Sequence, residues 1–373
     1  IAHMLQSFYI MLIIGFNEGN FGIIVPSLKA HYGISQAVLS IIFPCTTAGT
    51  FLAAFLNGYL IRKTSQTTTS VIGATVLFIG YLVCAMAVPF PAMCCAYIAI
   101  GFGYPLMETA ANVICGESPR GTVFLNFLHA MHSVGAMTAP LAASALLEHN
   151  ISWRATYGYL AGMTFIGIGS IAYFFHDDIP HRDTHKMIWR ALTCRPTVMA
   201  AMFGFVYVGV QVTLGSWGYT FLITARSTDT VLMARLMSIY YGGVMAARIC
   251  LGYLVLKFGE KRSVYCLLML AFSMLLLFWL VPTVVASAIA LALMGVAYGP
   301  MFPTTMSIVG MTLPPHLYAV SIGFIEASGG IGGAVFPYTT GAMIGAQGVE
   351  NTLPPFCIGL TIAMLAVWFF LPN

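Results

Sequence analysis

Glu108 lies in the run Met107, Glu108, Thr109, Ala110, Ala111, Asn112, inside a stretch that is otherwise apolar. A carboxylate at membrane depth is costly unless it faces a cavity, is paired or takes up a proton, so it marks a functional site by default. The next apolar stretch carries His129 and His132, which share one helix face at a spacing of i and i+3. Counting outward from a tight turn at Ser118 and Pro119 puts Glu108 and His129 level, roughly 14 to 16 Å along their helices at a rise of about 1.5 Å per residue. His132 stands one turn beyond His129, and Asn112 one turn from Glu108 on the same face. Desolvation disfavours the charged form of a carboxyl, so an acid and a base placed together can take up and release a proton as a coupled unit.

Two further acids have the same character. Glu18 interrupts the first apolar stretch, and Glu326 lies beside Ser328, Gly329 and Gly330, where small residues permit close helix approach. Glu326 is read either as a second proton-coupling acid or as the buried partner of Arg248. Asn17, Asn20, Asn112 and Gln211 carry donors and acceptors suited to paired hydroxyls. Tyr207, Trp217 and Tyr298 offer ring faces for a sugar.

The elements that hold these residues are membrane helices. The chain is 59% hydrophobic and 7% charged over 373 residues, against roughly 25% charge in soluble domains. Twelve apolar runs, each long enough to cross the hydrocarbon core, cover approximately 5–25, 36–61, 67–88, 92–115, 121–147, 153–175, 196–224, 233–258, 263–280, 283–312, 319–344 and 355–370. They are continuous, unlike the short alternating segments of a barrel. The expected fold is therefore an all-α membrane protein of twelve transmembrane helices.

Lys and Arg concentrate in the even-numbered loops, at Arg62, Lys63, Arg120, Arg182, Lys186, Arg190, Arg195, Lys257, Lys261 and Arg262. The odd loops and their edges hold Lys29, Arg154, Arg226 and Arg235. This bias predicts cytosolic even loops and cytosolic termini. It also accounts for most of the net charge of +4, so no nucleic-acid partner is expected. The first apolar run passes into a polar loop at Lys29 to Gly33 with no cleavage-like site, so no cleavable signal is expected. The nine cysteines read mostly as buried packing residues. Cys84, Cys94 and Cys95 flank an external turn as the candidates for a bridge. No Cys and His spacing suits zinc, and no metal or cofactor is expected.

The chain also repeats itself. Gly58, Tyr59 and Leu60, followed by Arg62 and Lys63, are echoed by Gly252, Tyr253 and Leu254, followed by Lys257, Lys261 and Arg262. Gly101 to Pro105 is echoed by Gly295 to Pro300, and Gly135 and Pro140 by Gly332 and Pro337. Spans one to six thus correspond to seven to twelve. The expected organisation is a six-helix bundle at 1–175, a cytosolic linker at 176–195 and a second bundle at 196–373. Duplicated halves of this kind are a transporter plan, with the solute site at the interface near the midplane and access alternating as the halves rock. A phosphate-binding Gly-rich loop with Lys is missing from the sequence, so neither an enzyme nor an ATP-driven pump is indicated.

These motifs resemble the major facilitator superfamily. Gly58, Arg62, Lys63, Gly252 and Lys257 match its loop signature in degraded form, with Arg62 and Leu256 where the family has an acid; Arg248 and these residues are read as structural or gating. Within the superfamily, Glu108 to Asn112 are similar to the helix-four motif of the fucose and proton symporter family. Asn126, His129, His132, Ser133 and Gly135 resemble its helix-five motif, and Tyr207, Val208, Gly209, Gln211 and Val212 its helix-seven motif. Gly15, Phe16, Asn17, Glu18 and Gly19 resemble a fungal branch. The resemblance implies sugar contacts at Glu108 and His132, the latter replacing an amide with a side chain type that titrates near neutrality. It also implies a proton-carrying acid on helix one, a role for which Glu18 is the substitute, its alternative being to satisfy polar groups at a helix break. The expected activity is proton-coupled symport of a monosaccharide or similar hydroxylated solute by a monomer, in the plasma membrane rather than an organelle. A carrier of organic anions, lipid-like metabolites or drugs, with Arg248 supplying charge, and a non-transporting nutrient sensor are the alternatives.

Overall fold

The structure is a computed structural model that describes residues 2–116, 118, 121–175 and 193–371. Most of the expected linker, at 176–192, lies outside the described residues, as do Pro119 and Arg120. Helix is the only regular structure among the described residues, as expected where hydrocarbon offers the backbone no alternative partner. The elements are α1 (Ala2–Tyr32), α2 (Gln36–Leu39), α3 (Ile42–Lys63), α4 (Gln66–Ala85), α5 (Phe90–Gly116), α6 (Gly121–Glu148) and α7 (Arg154–Phe174). They continue as α8 (Arg195–Ala225), α9 (Thr230–Phe258), α10 (Glu260–Leu280), α11 (Val284–Tyr298), α12 (Met301–Thr312), α13 (Pro315–Gln347) and α14 (Val349–Phe370).

Among the described residues, fourteen helices make twelve spans because two spans are broken. α2 and α3 together form the second, α2 being capped by Ser35, whose side chain accepts from the Val38 amide at 3.2 Å. α11 and α12 form the tenth, parted at Gly299 and Pro300, where the proline ring has no amide hydrogen to continue the ladder. Ten segments, counting each broken span once, are long and apolar enough to cross a bilayer. α7 and α13, helices of 21 and 33 residues, are the other two. One boundary differs from expectation. α1 runs on through Lys29 to Tyr32, so the polar stretch begins inside the helix, where Lys29 and His31 meet its negative end.

The chain forms two compact units. The first comprises the described residues up to 175 with Thr230–Ser238, and the second those of 193–229 and 239–371. In the first, Arg235 Nη2 reaches Glu148 Oε2 at 2.9 Å, an exposed pair of the kind that contributes little to stability.

Glycine lets helix backbones touch inside each unit. A Cβ on Gly101 of α5 would lie 1.9 Å from the Thr46 carbonyl oxygen of α3, and one on Gly49 of α3 would lie 2.0 Å from the Ile98 oxygen of α5. The second unit repeats this arrangement. A Cβ on Gly295 of α11 would lie 2.1 Å from the Tyr240 oxygen of α9, and one on Gly243 would lie 2.4 Å from the Ala292 oxygen. One chain offset relates 46 to 240, 49 to 243, 98 to 292 and 101 to 295, so the internal repeat seen in sequence is a repeat of helix crossings. Lipid gives two helices little solvophobic reason to associate, which leaves close contact of this kind to hold them.

The second unit has a further clasp at the ends of α8 and α10. Arg226 follows the last residue of α8. It donates to Ala225 O at 3.0 Å and to Ser287 Oγ at 3.0 Å, and caps α10 through Phe278 O at 2.5 Å. Its guanidinium lies 4.8 Å from the Phe221 ring centroid. A cation here meets carbonyls left unpaired at helix C-termini.

Gly101→Val and Gly295→Val should each destabilise the purified protein by about 1–3 kcal/mol or more, because the obstructing atoms are backbone and cannot rotate away. Gly162→Ala, whose new Cβ meets nothing within 4 Å, should be neutral. Unfolding midpoints in matched detergent check this, and equal midpoints for all three variants would exclude the crossings as the source of stability.

Candidate functional site

α1 and α6 are pressed together by the same device. A Cβ on Gly15 would lie 1.9 Å from the His132 carbonyl oxygen, one on Gly19 2.2 Å from the Ala136 oxygen, and one on Gly135 2.2 Å from the Leu12 oxygen. With no side chains keeping the helices apart, residues flanking the glycines meet directly. Glu18 Oε2 faces His132 Nε2 at 3.2 Å, both side chains partly accessible at 31% and 19%. The contact is an ion pair when His132 is protonated and a hydrogen bond when it is neutral.

Glu108 enters this pair from α5, within electrostatic range of both His132 and Glu18. The expected unit of Glu108 with a histidine thus acquires Glu18 as a third member. His129, one turn earlier on α6, is half-buried, and its carbonyl accepts from Ser133 Oγ at 3.1 Å. Two residues not singled out from sequence join the cluster. Tyr104, one turn before Glu108, lies within electrostatic range of Glu108 and Glu18, and its hydroxyl stands 3.1 Å from Thr50 Oγ1. Thr50 is tied to the backbone of both helices, at Thr46 O and Gly101 O, each 3.2 Å away. Its neighbour Gly49 and the i+4 spacing from Tyr104 to Glu108 were the signals available in sequence. Asn112 is half-buried one turn beyond Glu108, and its Oδ1 has no hydrogen-bond partner within the protein. A buried amide oxygen without a donor is costly, and a ligand hydroxyl would satisfy it. The first unit therefore gathers two carboxyls, an imidazole, a phenol and an unused acceptor.

Other expected contact residues lie elsewhere. Asn17 is half-exposed on α1, whereas Asn20 is 1% exposed and donates to Thr156 Oγ1 of α7 at 3.2 Å, which makes it a tie between helices. In the second unit, Gln211 is half-exposed. The three aromatic residues expected to stack on solute are instead buried in the packing of that unit. Tyr207 donates to Tyr298 O at 2.9 Å, Tyr298 pairs its hydroxyl with Thr361 Oγ1 at 3.1 Å, and Trp217 donates to Pro337 O at 2.9 Å. Tyr298 is the last residue of α11, whose terminal carbonyls lack helical donors, so a phenol is recruited to the break. Trp217 and Tyr298 are each 0% exposed, leaving no face for a ligand in this conformation.

Glu326 is exposed on α13 and Arg248 half-exposed on α9, with its Nε donating to Gly299 O at 3.3 Å. Arg62 and Lys63 are exposed in the last turn of α3, where they complement the helix dipole, and Lys63 lies 5.7 Å from the Tyr59 ring centroid. Gly58 has open space around it. Gly252 lies within α9, and Lys257 is exposed in its last turn.

Comparison with known proteins agrees with this architecture. The family model described as Major Facilitator Superfamily matches residues 8–337 and 228–373. Among curated relatives, a Saccharomyces cerevisiae protein named Bypass of stop codon protein 6 is 22% identical, with 97% of this chain and 80% of that protein covered. A Brucella abortus protein named Glucose/galactose transporter is 26% identical, covering 88% and 84%. Among solved structures, the E. coli Fucose:proton symporter superposes with a TM-score of 0.71 at 18% identity over 100% of this chain and 98% of that one. A D-xylose-proton symporter does so at 0.78 and 14%, over 100% and 98%. At these identities the superpositions establish the fold. With two repeated six-span halves and a family model spanning nearly their whole length, the chain belongs to the Major Facilitator Superfamily, as a multi-pass membrane transporter and not an enzyme.

Proposed function

We propose that the chain is a proton-coupled symporter of a monosaccharide or similar hydroxylated solute, working by alternating access. The observation that carries this reading is the Glu18–His132 contact beside Glu108. Two acids and a base at close quarters in a membrane interior can hold different numbers of protons at little structural cost, because each charge has a neighbour able to compensate it. Asn112 Oδ1 supplies an unused acceptor one turn away, so protonation and solute binding share a neighbourhood. A solute hydroxyl would donate to Asn112 while Glu108, ionised or protonated, accepts from or donates to a second hydroxyl. The names of the glucose/galactose relatives and of the fucose and xylose symporters support a sugar. The coupling ion is H⁺, the working form a monomer, and the location the plasma membrane with both termini in the cytosol.

The direct test is uptake by purified protein in proteoliposomes with an imposed pH gradient and a panel of sugars, carboxylates and lipid-like solutes. Concentrative uptake of a sugar is expected. Uptake of carboxylates in its place would establish the organic-anion reading, and saturable binding without flux would establish a sensor.

Glu108→Gln keeps size and hydrogen bonding but cannot ionise, and should cut gradient-driven accumulation on the order of tenfold or more, the equivalent of about 1.4 kcal/mol. Normal accumulation by this variant would remove Glu108 from coupling. If solute affinity collapses while proton movement persists, Glu108 serves recognition alone.

Glu18→Gln and His132→Gln should each change the pH profile of transport, and the double variant should resemble either single one, since partners in one contact are non-additive. Flux measured across pH 5 to 8 at matched expression decides the matter. Single-variant profiles identical to that of the unmodified protein would reduce the pair to packing.

A further inference from the structure

The cysteines are less buried than the sequence suggested. Cys84, Cys115 and Cys357 are buried, whereas Cys45, Cys94 and Cys194 are half-buried and Cys95, Cys250 and Cys266 are exposed. All nine are free thiols. Among the candidates for a bridge, Cys94 has a neighbour that its sequence position did not reveal, for Cys45 and Cys94 lie within electrostatic range of each other across α3 and α5.

The helix crossing explains why they meet. Gly49 and Ile98, whose backbones touch, stand one turn beyond Cys45 and Cys94 on the same faces. Both cysteines fall within the first turn or so of their helices, at the end of the unit carrying the connections before α2 and before α5. Packing does not demand sulfur here. The offset that relates the two crossings places Ile239 and Ala288 at the equivalent positions of the second unit, so the same geometry is filled there without cysteine.

We propose that Cys45 and Cys94 are a reversible dithiol–disulfide site, oxidised by a low-molecular-weight disulfide reaching that end of the bundle. One thiolate attacks the small disulfide, forming a mixed disulfide and releasing one thiol. The second cysteine then displaces the remaining half, closing the Cys45–Cys94 bond and releasing a second thiol. The two protein thiol protons end on the two released thiols, and the small disulfide is the species reduced. Thiols one turn from a fixed close crossing of their helices are held near each other, which is the condition for closing a disulfide without large backbone movement. The bond would tie α3 to α5 between the entrance end of the helices and the Thr50–Tyr104 contact, roughly one and a half turns before Thr50 and nearly three before Tyr104, and so stiffen the wall of the candidate site.

The test uses full-length protein in lipid nanodiscs, equilibrated with oxidised glutathione or with dithiothreitol, then alkylated and mapped by mass spectrometry. After oxidation, Cys45 and Cys94 should both lose alkylation and appear in one cross-linked peptide pair lacking two hydrogens, with recovery on reduction. Cys95→Ser should leave this bridge intact, and Cys45→Ser should abolish it. Full alkylation of Cys45 and Cys94 after oxidation, glutathione retained on Cys94 without closure, or a bridge from Cys94 to another cysteine would each overturn the proposal. The mapping needs no transport activity, so its outcome is independent of the solute and the coupling ion.

Discussion

Close approach of helix backbones is the constraint on which the remaining features depend. In hydrocarbon each helix satisfies its own amides and carbonyls, and there is little solvophobic force to bring two such helices together. Glycine at 15, 19, 49, 101, 135, 243 and 295 removes the side chain that would stand between them. Dispersion between dense backbones then holds the bundle, and the positions beside each glycine are forced into contact. Glu18 meets His132 because Gly15 and Gly19 seat α1 on α6. Thr50 meets Tyr104 because Gly49 and Gly101 seat α3 on α5. The polar cluster is thus a consequence of small residues that do no chemistry themselves.

That dependence separates what could be read from sequence and what could not. Spans, their number and the duplication were legible, since an apolar run of sufficient length has one stable form in a bilayer and repeated glycines fall at repeated crossings. Glu108, Glu18 and His132 each stood out from sequence, because a charged or titratable group at such depth has few innocent explanations. Their grouping was not. Counting along a hairpin fixes depth but not rotation, and it paired Glu108 with the histidines while leaving Glu18 apart; a rotation of one helix by a third of a turn decides which neighbour it meets. The packing of Tyr207, Trp217 and Tyr298 was hidden for a different reason. An aromatic ring with a polar tip suits a sugar and a broken helix equally well, and the second use is visible only where carbonyl acceptors such as Tyr298 O and Pro337 O are seen. Cys45 was passed over because its partner is distant in sequence.

Structural and titrating polar groups are also kept apart. Asn20, Tyr207, Tyr298 and Trp217 make neutral hydrogen bonds within their units. Such bonds survive a change of acidity unaltered. Glu18, Glu108 and His132, which can change charge, are gathered in one cluster on α1, α5 and α6, where glycines seat α1 directly on α6.

Arg226 extends this division to the rim of the second unit. Its partners are the carbonyls of Ala225 and Phe278, a serine hydroxyl and the faces of Phe221 and Phe278. A guanidinium does not lose its proton in proteins, and carbonyls and rings do not titrate. The bonds themselves therefore carry no proton to lose, and Glu350 is the titratable group within electrostatic range of the clasp. Under the proposed proton coupling the interior would read a difference in pH, while the bonds that fasten the ends of α8 and α10 are made from a guanidinium, carbonyls, a hydroxyl and rings.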